Sequence, residues 1–249
     1  SSDGNDSEHA RMAGINVWSR SWYAAFSNVL ITDNTVYKTG STGIHVNASK
    51  GQGVATGVVV SDNYLYDIGG DGVLTNNCTA PRVEYNIVAG SHYRSLLACV
   101  ALWPFACTDA LFQFNEAYNT QTMYDGQGLD ADYKCTGTTF QYNYSHDNQG
   151  GVFLVCTESG QTNDSVTIRY NIGQNNGGKQ ISLWNHVTNV KFYNNTLYVA
   201  SGLNRELVWA DTNCSSYPDT VQFYNNIIYD LGSSGYYFNG STNITWNYN

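Results

Sequence analysis

The chain has 249 residues and a net charge of −9, with 12% charged and 14% aromatic residues. That balance excludes a nucleic-acid or anionic-membrane partner, since both reward basic patches, and no run approaches the ~18 apolar residues of a membrane span. Twenty Tyr, 24 Gly and many Asn supply polarity without charge, which suits a surface that stacks on and hydrogen-bonds to neutral, hydroxyl-rich partners.

The start, Ser1-Ser2-Asp3-Gly4, reads as a mature end or an expression boundary, with any targeting segment already removed. Residues 1–28 are expected to form an N-terminal partial coil or cap, and 29–249 the repeated coils of one domain. From Val29 a template recurs: apolar, any, apolar, any, any, Asn. It runs Val29-x-Ile31-x-x-Asn34, Val58-x-Val60-x-x-Asn63, a weaker Pro81-x-Val83-x-x-Asn86, Ala110-x-Phe112-x-x-Asn115 and Thr138-x-Phe140-x-x-Asn143. Val166-x-Ile168-x-x-Asn171, Val190-x-Phe192-x-x-Asn195, Val221-x-Phe223-x-x-Asn226 and Ile244-x-Trp246-x-x-Asn249 complete it, at intervals of 23 to 31 residues.

Period-two alternation buries one row of side chains. Asn tolerates the left-handed turn that bends one strand into the next, and stacked Asn can hydrogen-bond as a ladder. A short strand follows each Asn (Thr35-Val36-Tyr37, Thr196-Leu197-Tyr198), and a third lies about ten residues on, usually after Gly: Gly43-Ile44-His45-Val46, Gly72-Val73-Leu74-Thr75, Gly128-Leu129-Asp130-Ala131. The expected fold is an all-β, right-handed parallel β-helix of about nine coils, each with three strands and one rung of an Asn ladder.

Cys78, Cys107 and Cys135 each precede Thr and lie three residues before a template. Cys156-Thr157 reads as a longer version of that turn. Stacked residues about 4.8 Å apart fall within disulfide range, so Cys135–Cys156 and Cys78–Cys107 are the expected pairs, with a stack of free thiols as the alternative. Sequons at Asn5, Asn47, Asn77, Asn143, Asn163, Asn194, Asn213, Asn239 and Asn243 favour a secreted, extracellular, N-glycosylated protein.

The Asn-turn template, with segments such as Phe140-Gln141-Tyr142-Asn143-Tyr144-Ser145-His146-Asp147-Asn148, resembles the pectin-lyase-like right-handed parallel β-helix superfamily over nearly the whole chain. The resemblance implies a polysaccharide hydrolase, lyase or epimerase, or a non-catalytic surface protein. In the enzymes of that superfamily the groove lies on the strand after the Gly turn. The motif sets of its polygalacturonases and alginate epimerases are absent.

The chemistry is expected in Tyr124-Asp125-Gly126-Gln127-Gly128-Leu129-Asp130-Ala131-Asp132. With Leu129 and Ala131 inward, Asp130 and Asp132 face outward together, about 7 Å apart. Asp125 sits in the loop before them. Two carboxylates at that spacing suit the acid and base of an inverting glycosidase, with Asp125 and His146 assisting. The same three Asp could instead hold Ca²⁺ for a lyase that uses Lys134 or Arg94 as base. Trp184, His45, Asp147, Arg94 and Trp103 are the expected substrate-binding residues, with Arg94 able to pair with Asp125 and Trp103-Pro104-Phe105 read as an aromatic loop. The expected partner is a polysaccharide or glycan. The competing reading is a glycosylated scaffold or filament subunit that associates end to end.

Overall fold

Alternation decides the strands. In Leu30–Thr32, Val59–Ser61, Arg82–Glu84, Leu111–Gln113, Thr139–Gln141 and Thr167–Arg169 the central residue of each enters the core. The computed structural model describes residues 13–19, 25–48, 53–121, 124–203, 205–214, 216–240 and 243–249. Most of the expected cap and the Asn5 sequon therefore lie outside the described residues. Among those described, three long parallel sheets contain nine, ten and eight strands, and none of the regular elements is a helix.

Each coil of this parallel β-helix contributes a strand to the ten-stranded sheet, turns at Asn, adds a strand to the eight-stranded sheet, and then one to the nine-stranded sheet. Registers run coil upon coil without slip over most of the stack, as in Ile31↔Val60↔Val83↔Phe112↔Phe140↔Ile168↔Phe192↔Phe223. Along that inner row, rings stack at 4.7 Å (Phe192–Phe223) and 4.1 Å (Phe223–Trp246), and Phe112 and Phe140 meet tilted at 5.1 Å.

The nine template Asn bond head to tail. Each Nδ2 donates to the next Oδ1, from Asn34→Asn63 at 2.9 Å to Asn226→Asn249 at 2.7 Å. Each Oδ1 also accepts a backbone N–H, as Asn143 Oδ1 does from Asn115 N at 3.0 Å. Nδ2 reaches a strand carbonyl as well, Asn143 to Phe112 O at 2.9 Å. One expectation needs correction: the left-handed residue is not the ladder Asn but the one before it. Asp33, Asp62, Tyr85, Phe114, Tyr142, Tyr170, Asn194, Asn225 and Tyr248 hold φ of 54–59°. That turn aims the following Asn inward, and the ladder bonds offset the steric cost of a left-handed Tyr or Phe.

The disulfide expectation is also corrected, since all six cysteines are free thiols. Thr79, Thr108, Thr136 and Asp164 are in bridge register, which places Asn163 above Cys135, not Cys156. Cys156 instead ends the strand Phe153–Cys156 with its sulfur on the far face of the sheet. Cys78, Cys107 and Cys135 stack inside, their thiols turned to backbone carbonyls of Asn76, Thr75 and Pro104 at 3.4–3.5 Å.

Three sequon asparagines are sealed in the fold. Asn47 is 0% exposed, Asn143 is a ladder rung, and Asn163 Nδ2 donates to Ala131 O (2.6 Å) and Cys156 O (3.0 Å). Asn77 and Asn194 are half-buried, whereas Asn213, Asn239 and Asn243 are exposed.

Candidate active site

The site grows from the outward row of the nine-stranded sheet. Leu129 and Ala131 enter the core, so Asp130 emerges on the opposite face. The next coils place Leu154, Ser182 and Trp209 in line with Asp130, and Cys156 in line with Trp184 and Asp211. Toward the N-terminus, His45, Leu74 and Trp103 share one row, and Asn47, Asn76 and Phe105 the next. Segments at 97–100, 124–127, 149–151 and 177–179 wall this floor into a groove of about 560 Å³. Glycine is required where the walls approach: a Cβ on Gly151 would fall 1.6 Å from Lys179 O.

Four carboxylates meet at one end. Asp71 is buried and accepts Val100 N at 3.1 Å. Asp125, half-buried in the wall, is pushed up to about 6, first by burial and then by Asp71. Asp130 is 3% exposed and is raised well above the carboxylate range, by burial foremost and then by Asp132, Asp125 and Asp71. Asp132, half-buried, accepts Tyr133 N at 2.7 Å and the Cys156 thiol at 3.1 Å, both on Oδ1. The Cys156 thiol is held protonated by burial and by Asp130 and Asp132. Burial first also keeps the Tyr133 phenol neutral.

The other end is aromatic and cationic. Trp184 and Trp209 stack at 5.1 Å with planes 8° apart, and Lys179 Nζ lies 3.2 Å from the Trp209 ring centroid. Burial lowers the Lys179 pKa against the pull of Glu206 and Asp211.

Of the expected site residues, the groove collects Asp125, Asp130, Asp132, His45, Trp103 and Trp184. His146 and Asp147 are placed elsewhere, because the strand that follows a ladder Asn belongs to the eight-stranded sheet. There His146 bonds Glu116 (3.0 Å) and Asp147 (2.8 Å) between the rings of Tyr118 and Tyr144. Arg94 pairs with Asp67 at 2.6 Å, not with Asp125. Trp103-Pro104-Phe105 is not a loop but a strand of the groove floor, Leu102–Phe105. One oxygen each of Asp130 and Asp132 and the Cys156 sulfur lie within 4.8 Å of one another. That is closer than the expected spacing and too close to hold a water between that pair as an inverting mechanism requires. The third donor in this group is the Cys156 thiol, while Asp125, the third ligand expected for calcium, lies in the groove wall and is not part of it.

Sequence reasoning missed Asp71, Tyr133, Cys156, Lys179 and Trp209. Trp209 was findable, since it repeats the outward register of Ser182 one coil on. Cys156 ends the strand Phe153–Cys156, in register with Trp184, but its Cys-Thr pair reads as a turn; the rest lie outside the strands, where no period marks them.

The right-handed β-helix region family matches residues 13–197. The chain belongs to that family. It is 37% identical over 102 residues to a lacto-N-biosidase of Bifidobacterium longum subsp. longum, a stretch covering 39% of this chain and 6% of that protein. The crystal structure of the GH136 lacto-N-biosidase of Eubacterium ramulus superposes with a TM-score of 0.64 at 23% identity, over 85% of this chain and 37% of that one. Its selenomethionine form gives 0.62. The chain thus spans well under half the length of either relative.

Proposed function

We propose that this β-helix carries the catalytic groove of a glycoside hydrolase acting on glycans outside the cell, with Asp125 and Asp132 as its working carboxylates. The observation that carries this reading is their contrast in environment. Both are half-buried at the groove, while Asp130 lies beneath them. Asp125, pushed up to about 6, keeps its proton in mildly acidic solution, where an ordinary carboxyl has lost it, and can give it to the glycosidic oxygen. Asp132, fixed by two donors on Oδ1, is the carboxylate that meets positive charge developing at the anomeric carbon. Asp130 stays neutral between them, which keeps three like charges from coexisting. Trp184 and Trp209 offer ring edges and faces to the sugar beyond.

The relatives' shared name supports a narrower substrate: a glycan or glycoside bearing a lacto-N-biose unit. The test is release of the aryl group from an aryl lacto-N-bioside, beside a polysaccharide panel scored for reducing ends and unsaturated uronate absorbance. Aryl release lost in Asp132→Asn and Asp125→Asn supports this reading. Absorbance would replace it with a lyase, and silence on every substrate would leave a non-catalytic scaffold.

A further inference from the structure

Cys156 stands where a β-helix groove has no structural need of a thiol. The inward residues of its strand, Phe153 and Val155, fill the core, so Leu154 and Cys156 face the groove. Its sulfur lies 3.1 Å from Asp132 Oδ1 and 3.8 Å from Asp130 Oδ1, at 6% exposure. A protonated thiol is a donor, and both carboxylates are acceptors. The Tyr133 N–H ends on the same Oδ1, so the two donors together fix the carboxylate plane.

We propose that Cys156 is a positioning residue whose thiol hydrogen bond orients Asp132 for catalysis. The inference rests on the groove reading above. The titratable groups facing the thiol are Asp130, Asp132 and Asp125, with Tyr133 beside them and Glu158 beyond the strand end. None of these is cationic, and the thiol and the Tyr133 N–H both donate to the Asp132 carboxylate. A donor bonded to a carboxylate favours its charged form, so removing one moves its titration upward.

The experiment compares wild type, Cys156→Ala, Cys156→Ser and Asp132→Asn on an aryl lacto-N-bioside across pH, with thermal midpoints alongside. Cys156→Ala is expected to lower kcat about tenfold with KM within about twofold, and to move the acid limb of kcat/KM up by about one unit. Cys156→Ser, which keeps a donor, returns the limb toward its wild-type position. The Cys156→Thr and Cys156→Val pair repeats the donor comparison at nearly equal volume if the Ala variant does not fold. A Cys156→Ala profile that overlays an active wild type, or a Ser variant no better than Ala, overturns the inference alone. Activity retained in Asp132→Asn removes the groove reading and this inference with it.

Discussion

Two rows of polar residues climb the same helix and behave in opposite ways. At the turn between the ten- and eight-stranded sheets, one residue type repeats nine times and each copy satisfies the next. On the outward face of the nine-stranded sheet no two successive positions match: His45, Leu74, Trp103, then Asp130, Leu154, Ser182, Trp209. The uniform row closes its hydrogen bonds internally and contributes stability. The irregular row gathers like charges that burial makes costly. In a solenoid, then, uniformity marks structure, and a broken row marks the place where something other than the next coil is contacted.

That contrast can be broken first at the carboxylates. Asp132→Asn is expected to reduce kcat about 10³-fold on an aryl lacto-N-bioside while the thermal midpoint stays within a few degrees. Asn143→Ala is the converse. It removes the rung that accepts from Asn115 N and donates to Phe112 O and to Asn171 Oδ1, taking from the buried Asn115 N–H its side-chain acceptor and breaking the ladder in mid-stack. Urea unfolding should show a loss of roughly 3–5 kcal/mol, with kcat per folded molecule unchanged.

How much of this was legible follows the same division. The fold could be read because the template Val58-x-Val60-x-x-Asn63 and its copies state the coil, the core row and the rung in six residues. Asp130 and Trp184 could be placed because they lie on strands, where period two fixes the face, and Asp132 because it follows the strand Leu129–Ala131 directly. Asp71, Lys179 and Cys156 could not be assigned to the groove: Asp71 and Lys179 come from walls, and Cys156 looks like a turn residue because Cys-Thr recurs at Cys78, Cys107 and Cys135. His146 falls outside the groove because it ends Tyr144–His146, the strand that directly follows ladder Asn143 and pairs into the eight-stranded sheet, one face away from Asp130.

Two further measurements sharpen the groove's side of the comparison. Asp125 is raised in the folded chain, from 3.8 to about 6. Its stabilising share is present below the unfolded value and is lost as pH rises through about 6, because the unfolded chain releases that proton first. Asp125→Asn should therefore gain up to about 3 kcal/mol at pH 7 and nothing at pH 4, in urea melts at both. A gain equal at both pH values would mean that the groove charges do not strain the fold. Trp184→Ala should raise KM about tenfold and leave kcat within about threefold, since stacking binds ground and transition states alike. A fall in kcat alone would move Trp184 into the chemistry.

The smallest effect belongs to the inner stack of thiols, and it separates two ways of holding coils together. Cys78, Cys107 and Cys135 occupy successive rungs, yet each sulfur is turned to a backbone carbonyl and none is bonded to another. They act as small buried apolar groups with weak donors, in the series that Asn163 continues with its amide to Ala131 O. Coil-to-coil cohesion is carried by register and the Asn ladder, so a reductant has nothing to cut. The thermal midpoint should move by less than about 1 °C on adding dithiothreitol, and denatured protein should titrate six thiols before and after. A fall of several degrees, with fewer thiols before reduction, would show a crosslink sharing the ladder's work.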